Sequence, residues 1–247
     1  MTLLKWPSQL VIVRHGESVL NMAKDLFEKG LEDLLEQVKH VRDADIDLTL
    51  FGEWQSQCTG ELLSEENPFD MCFASPYKRT VRTAQGIISN IGYPLKLFTD
   101  NRLREKEFGR FHGLSKQEII ARHPEEFESR KRDGVYWYRL PGGENYPDVE
   151  MRVHSFLDKL VRDYSGKRVL IVTHEVPYKM FRALFEHLSE EGVLSLPDAP
   201  NCGIQIFSPD TAKFQEGRMV LKMYNRIAYN PSDYKGPRPQ LEVPPIG

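Results

Sequence analysis

Residues 9–21 read QLVIVRHGESVLN. Leu10, Val11, Ile12 and Val13 form an unbroken apolar run rich in β-branched side chains, the pattern of a strand buried on both faces. Arg14, His15, Gly16 and Glu17 end the run. Two basic groups, a glycine and a carboxylate make a poor core but a good anion site, because open α/β sheets bind ligands beyond the carboxyl ends of their strands. Gly16 permits a sharp turn or a close backbone approach. Ser18 suits the cap of a following helix, whose N-terminus adds its own attraction for an anion. Read alone, the pair is equally compatible with a structural loop histidine and a surface arginine, so the rest of the chain decides.

The same arrangement recurs twice. Met71–Ala74 reads as a short buried strand ending in Ser75, Pro76, Tyr77, Lys78, Arg79 and Thr80, before a helix over Val81–Asn90. Arg168–Thr173 is a third buried strand, ending at His174 before a helix over Val176–His187. Between and around these, helices are predicted over Val19–His40, Glu53–Leu63, Ser115–Arg122, Pro124–Arg132 and Asp148–Tyr164. The first of them is either a plain amphipathic surface helix or a lid. Val41–Asp47 and Arg102–Gly113 read as charged loops, Leu95–Phe98 as a strand, and Ile204–Phe207 and Met219–Tyr224 as closing strands.

The alternation predicts the α/β class: three-layer α/β/α, with a mostly parallel central sheet and a small helical and loop lid. All three junctions then fall on one edge. The organisation expected is one catalytic domain over 1–230, lid elements at about 22–46 and 110–146, and a Pro-rich tail, extended or mobile, over 231–247.

At 247 residues the chain can bury a real core, and 40% apolar with 28% charged residues is ordinary globular composition. Lys and Arg total 33 against 36 Asp and Glu, a net charge of −3. Nothing there calls for nucleic acid or a membrane, so an anion site has to be local. Cys58, Cys72 and Cys202 are few, scattered and odd in number, which argues for a reducing cytoplasm and against a disulfide framework or a zinc site. No signal peptide or membrane span is read, and the expected location is cytoplasmic.

Five segments then carry a resemblance. Arg14-His15-Gly16-Glu17 with Asn21, Ser75-Pro76 with Arg79, Leu103–Gly113 with Glu105, Pro141–Glu144, and Thr173-His174 occur in the order found in the histidine phosphatase superfamily. That family includes cofactor-dependent phosphoglycerate mutases, broad acid phosphatases and the fructose-2,6-bisphosphatase domain. The likeness spans about Leu10–Phe207. It implies a phosphomonoester hydrolase without cofactor or metal, acting on a small phosphorylated metabolite of sugar phosphate or phosphoglycerate type. It also implies His15 as nucleophile forming a phosphohistidine, Arg14 and Arg79 as phosphate forks, a positively charged His174 as further stabilisation, and Asn21 as a neutral donor. Glu105 matches the proton donor, with Glu107 as rival. The expected partner is a small-molecule phosphate ester; a homodimer is compatible with this reading.

Beyond Glu105 the chain most resembles the fructose-2,6-bisphosphatase domain, where Arg130 and Tyr146 match residues holding the second phosphate and sugar, and Lys179 replaces an arginine. Lys116 in place of a tyrosine, a missing lysine near Asp133 and Gly134, and Glu175 in place of a glutamine depart from it. Glu175 is a candidate substrate contact that disfavours highly charged substrates unless Lys179 or Arg182 neutralises it. Phosphoglycerate mutase-type transfer and a catalytically weak phosphate-ester-binding module are the alternatives. Arg82 reads as an ion-pair former, Glu17 as a loop brace, His112 as a rim residue, and His40, His123, His154 and His187 as surface residues.

Overall fold

The computed structural model describes residues 5–31, 33–114, 116–212 and 218–237. In chain order the elements are β1 (Gln9–Arg14), α1 (Val19–Glu28), α2 (Asp33–Val38), α3 (Leu50–Ser64), β2 (Met71–Ala74), α4 (Lys78–Asn90), β3 (Leu97–Thr99), α5 (Lys116–Arg122) and α6 (Pro124–Asp133). They continue with α7 (Tyr146–Asp163), β4 (Arg168–Thr173), α8 (Glu175–Glu186), α9 (Glu190–Leu194), β5 (Ile204–Asp210) and β6 (Arg218–Arg226).

Among the described residues the strands form one sheet in the order β3-β2-β4-β1-β5-β6. β1 to β4 are parallel, and β5 and β6 close the edge antiparallel. The apolar run explains itself. Leu10 and Ile12 point into the core shared with α7 and α8, while Val11 and Val13 point into the opposite core beside α4. β4 divides in the same way, Val169 and Ile171 against Leu170 and Val172. Successive side chains of a strand face opposite sides, so a strand covered by helices on both faces has no polar positions. Each such side chain removed from water contributes roughly 1.5–3 kcal/mol.

Several boundaries differ from the sequence expectation. The helix predicted over Val19–His40 is two helices, broken where Gly30 takes φ +85, a backbone state open chiefly to glycine. α3 starts early because Thr49 caps it, accepting from Gly52 N at 3.0 Å. α4 begins at Lys78, which puts Arg79 in its first turn. β3 lies two residues later than expected at its start. The supposed loose tail is ordered at its beginning: Pro231–Asp233 is a 3₁₀ turn, and Tyr234 packs on Trp54 and Phe51 at 5.3 and 5.0 Å between ring centroids. The tail beyond residue 237 and Ser115 lie outside the described residues. Among the described residues, no helix is long and apolar enough to cross a membrane.

The loop after β1 is pressed onto the start of α3. A Cβ on Gly16 would collide with Gly52 O, and one on Gly52 with Glu17 O. Backbone meets backbone here, so no side chain can swing away. Gly52→Ala is expected to lower unfolding free energy by about 3 kcal/mol and to reduce activity by displacing the His15 loop. Denaturant titration alongside a turnover assay checks both.

Candidate active site

β4 lies between β1 and β2, so the three junctions predicted from the sequence are immediate neighbours. His15 N donates to Thr173 O (3.0 Å), and Ser75 N to Val172 O (3.1 Å). The His15 and His174 rings meet edge to face with centroids 5.1 Å apart. The Tyr77 ring lies 5.1 Å from His174 and carries the Arg79 guanidinium 5.1 Å from its centroid.

His15 is buried, and its Nδ1 donates to Gly16 O at 2.8 Å. A carbonyl only accepts, so the proton sits on Nδ1 and Nε2 keeps its lone pair. Burial first, then the Arg79 and Arg14 charges, hold its pKa well below 6.5 and the ring neutral. His174 is fully buried, with Nε2 against Ser75 Oγ at 2.8 Å and Nδ1 without a partner among the described residues. Its pKa is also well below 6.5, through burial and then Arg79 and His15. The protein alone keeps His174 neutral, so the positive charge expected beside a dianion has to be induced by that anion.

Glu105 replaces the missing side-chain cap of α8. Its oxygens accept from Glu175 N (3.0 Å), Val176 N (3.2 Å) and Lys106 N (2.8 Å). Burial lifts its pKa above the usual carboxylate range, opposed by the Lys106 N–H and by Arg79 and Arg14. The rival Glu107 is bound by the Tyr77 hydroxyl at 2.7 Å. Glu144, from the PGGEN segment, braces this loop: it accepts from Glu107 N, Arg104 and Arg152, and Arg152 also donates to the carbonyls of Arg102 and Glu105.

The arginines are both held by acids. Arg14 donates to Ala199 O and pairs with Glu175 at 3.3 Å. Arg79 bonds Asp43 through its carbonyl (2.6 Å) and both carboxylate oxygens (3.0 and 3.2 Å). Asp43 sits in a 3₁₀ turn inside the segment read as a plain charged loop. The sequence offers no signal for this contact, since an acidic loop is usually solvated. Lys24 of α1 was also missed; its ammonium lies within electrostatic reach of Asp43, Glu105, Arg14 and Arg79. α1 therefore borders the site.

The expected substrate contacts divide. Asn21 pairs with Ser18 in a capping box and accepts from Asn201 at 3.2 Å, which leaves its NH2 as a donor. Glu175 and Lys179 are committed to each other at 3.1 Å. Lys179 also holds Asp198 at 2.6 Å, and Glu175 also accepts from Ala199 N. Glu175 is thus neutralised by Arg14 and Lys179, while Arg182 pairs with Glu186. Arg130 and Tyr146 line a separate cavity under α5 and α6. Arg82 makes its ion pairs with Asp47 and Glu53, and Glu17 braces Thr49 at 2.7 Å. His123 is at the surface as expected, its ring edge-on to Phe111.

Two consequences are measurable. A buried neutral histidine binds fewer protons folded than unfolded, so its contribution is full above pH 6.5 and is lost as pH falls from there. Unfolding free energy is expected to drop below pH 6.5 at up to ~1.4 kcal/mol per pH unit for each histidine, and His15→Asn to flatten that slope. Asp43→Asn removes the anion that competes for Arg79. Inorganic phosphate should then inhibit about tenfold more tightly, equivalent to about 1.4 kcal/mol, as read from its inhibition constant.

A family model for the histidine phosphatase superfamily (branch 1) matches residues 10–225. A 2,3-bisphosphoglycerate-dependent phosphoglycerate mutase of Rhizobium etli is 31% identical over 191 residues, 76% of this chain and 83% of that protein. Among solved structures, Bacillus stearothermophilus YhfR superposes with a TM-score of 0.71 at 24% identity, covering 89% of this chain and 97% of that one. A mycobacterial glucosyl-3-phosphoglycerate phosphatase does so with a TM-score of 0.68 at 23% identity, covering 90% and 98%.

Proposed function

The chain belongs to the histidine phosphatase superfamily, phosphatase or mutase in type, and from that premise we propose that it hydrolyses a small phosphate monoester through phosphorylated His15. The observation that carries this reading is a neutral, buried imidazole with Nδ1–H fixed on Gly16 O, 5.1 Å from a second imidazole at the adjoining strand end.

The His15 Nε2 lone pair attacks phosphorus as the ester P–O bond breaks, and the leaving oxygen takes the Glu105 proton. The raised pKa of Glu105 favours that acid form, and a bound dianion raises it further. Water then attacks the phosphohistidine and gives its proton to the Glu105 carboxylate. The P–N electron pair returns to Nε2, and phosphate leaves. Arg14, Arg79 and the Asn21 NH2 bind the non-bridging oxygens, and one of these oxygens satisfies the orphaned Nδ1 of His174. Phosphoryl transfer depends on positioning and electrostatics, which these groups supply without metal.

The relative from Rhizobium etli is named as a mutase, and this favours a second reading: retention of the phosphoryl group and its return to a glycerate. The two readings differ in the fate of the phosphohistidine, which water has to reach in a hydrolase and must be kept from in a mutase.

Incubation with 3-phosphoglycerate and a trace of the 2,3-bisphosphate separates the two. A hydrolase releases inorganic phosphate; isomerised phosphoglycerate without phosphate overturns the proposal. Labelled substrate should leave an acid-labile phosphoryl group on the protein. His15→Ala should remove that label and lower turnover by at least ~10⁴-fold, while a chelator changes nothing.

A further inference from the structure

A second cavity of about 270 Å³ opens beside Glu105, beneath α5 and α6. Its position is fixed by the groups that hold the proton donor. Val176 donates its N–H to Glu105 and turns its side chain into this cavity, and Lys106, next in the chain to Glu105, lines it as well. A general acid protonates the leaving oxygen, so the alcohol part of the ester has to lie on the Glu105 side of phosphorus.

The walls of the cavity say which alcohol would suit it. Eight of the thirteen lining residues are apolar, among them Phe108, Phe111, Phe127, Leu140 and Val176. A polyhydroxylated alcohol would leave hydroxyls unpaired against these apolar walls, which disfavours it. At ~30 Å³ per water, the volume holds about nine waters, the bulk of a substituted benzene ring.

Two cations break the apolar lining. Lys106 is 9% exposed, with Nζ 4.7 Å from the Phe108 centroid and 5.7 Å from that of Tyr146. The one hydrogen bond of its ammonium among the described residues is a long one, 3.5 Å, to Glu144 O. Among the described residues neither Lys106 nor Arg130 pairs with a carboxylate. Glu126, which also lines the cavity, is bound by the Tyr138 hydroxyl. Glu105 and Glu144 attract the Lys106 ammonium without pairing with it, and a nearly buried ammonium with no direct ion pair gains from a ligand carboxylate.

Resting on the hydrolase reading above, we propose that this cavity is the leaving-group subsite, and that the enzyme prefers phosphate monoesters of apolar, ring-sized alcohols bearing a carboxylate that Lys106 binds. The subsite makes the substrate less like a sugar phosphate than the sequence resemblance implies.

Three esters of primary alcohols, matched in leaving-group type, test it: glycerol 1-phosphate, 2-phenylethyl phosphate and 2-(4-carboxyphenyl)ethyl phosphate. The phenylethyl ester should exceed the glycerol ester in kcat/KM by about tenfold or more, and the carboxylated ester should exceed both. Lys106→Met should cut the ratio of carboxylated to plain phenylethyl ester about tenfold, and Lys106→Arg should keep that ratio above one. Turnover in which glycerol phosphate equals or surpasses the ring esters overturns this inference alone, as does a ratio unmoved by Lys106→Met. No turnover of any ester, with no labelling of His15, overturns the hydrolase reading and the subsite with it.

Discussion

Everything in this molecule follows from β4 being hydrogen-bonded on both sides by parallel strands. Parallel strands end at the same edge, so Arg14-His15, Ser75 and His174 leave the sheet side by side although well over a hundred residues separate the first from the last. Ordinary backbone bonds set the spacing: His15 N to Thr173 O and Ser75 N to Val172 O. The apolar residues behind them, buried in two cores, keep that edge from shifting. Catalytic geometry is here a by-product of sheet register, which is why short loops suffice to hold it.

The cost of the arrangement is electrostatic. Arg14 and Arg79 lie beside two buried imidazoles, and burying charge without compensation is prohibitive. The fold answers in two ways. The histidines stay neutral, their pKa values held well below 6.5 by burial and by the arginines themselves. The arginines keep carboxylates, Asp43 for Arg79 and Glu175 for Arg14. Glu175 in turn is shared with Lys179, which holds Asp198. The field at this edge is therefore already balanced, and any anion that enters shares Arg79 with Asp43.

That balance marks the limit of what the sequence could reveal. The strands, their order of use and the strand-end residues were legible because each depends on local pattern: β-branched runs, a glycine at a turn, a basic group just past the last apolar position. The Val19–His40 segment misled because amphipathic spacing continues across Gly30, and periodicity alone does not register a positive φ. Asp43 was invisible for a different reason. A carboxylate in a charged loop looks solvated until another element, 36 positions away, brings a guanidinium to it. Glu175 looked anomalous for an anion site because one partner, Lys179, a turn on, could be named from spacing, but the other, Arg14, a strand away, could not. Lys106 stood between two glutamates, in a place where any lysine looks like a surface charge.

The helices outside the sheet differ in what they bring to its edge. Lys24 of α1 and Asp43 of the 3₁₀ turn lie within reach of Arg79. α5 and α6 roof the cavity beside Glu105 with Ile119, Glu126, Phe127 and Arg130. The N-terminus of α8 joins the two: its first turn holds the Glu105 carboxylate by two backbone N–H groups, pairs Glu175 with Arg14, and lines the cavity with Val176. Glu105, Arg14 and the cavity wall are therefore set by the same two residues. Changes of specificity can accumulate in α5 and α6 without disturbing the strand edge, whereas a change at the start of α8 alters chemistry and specificity together.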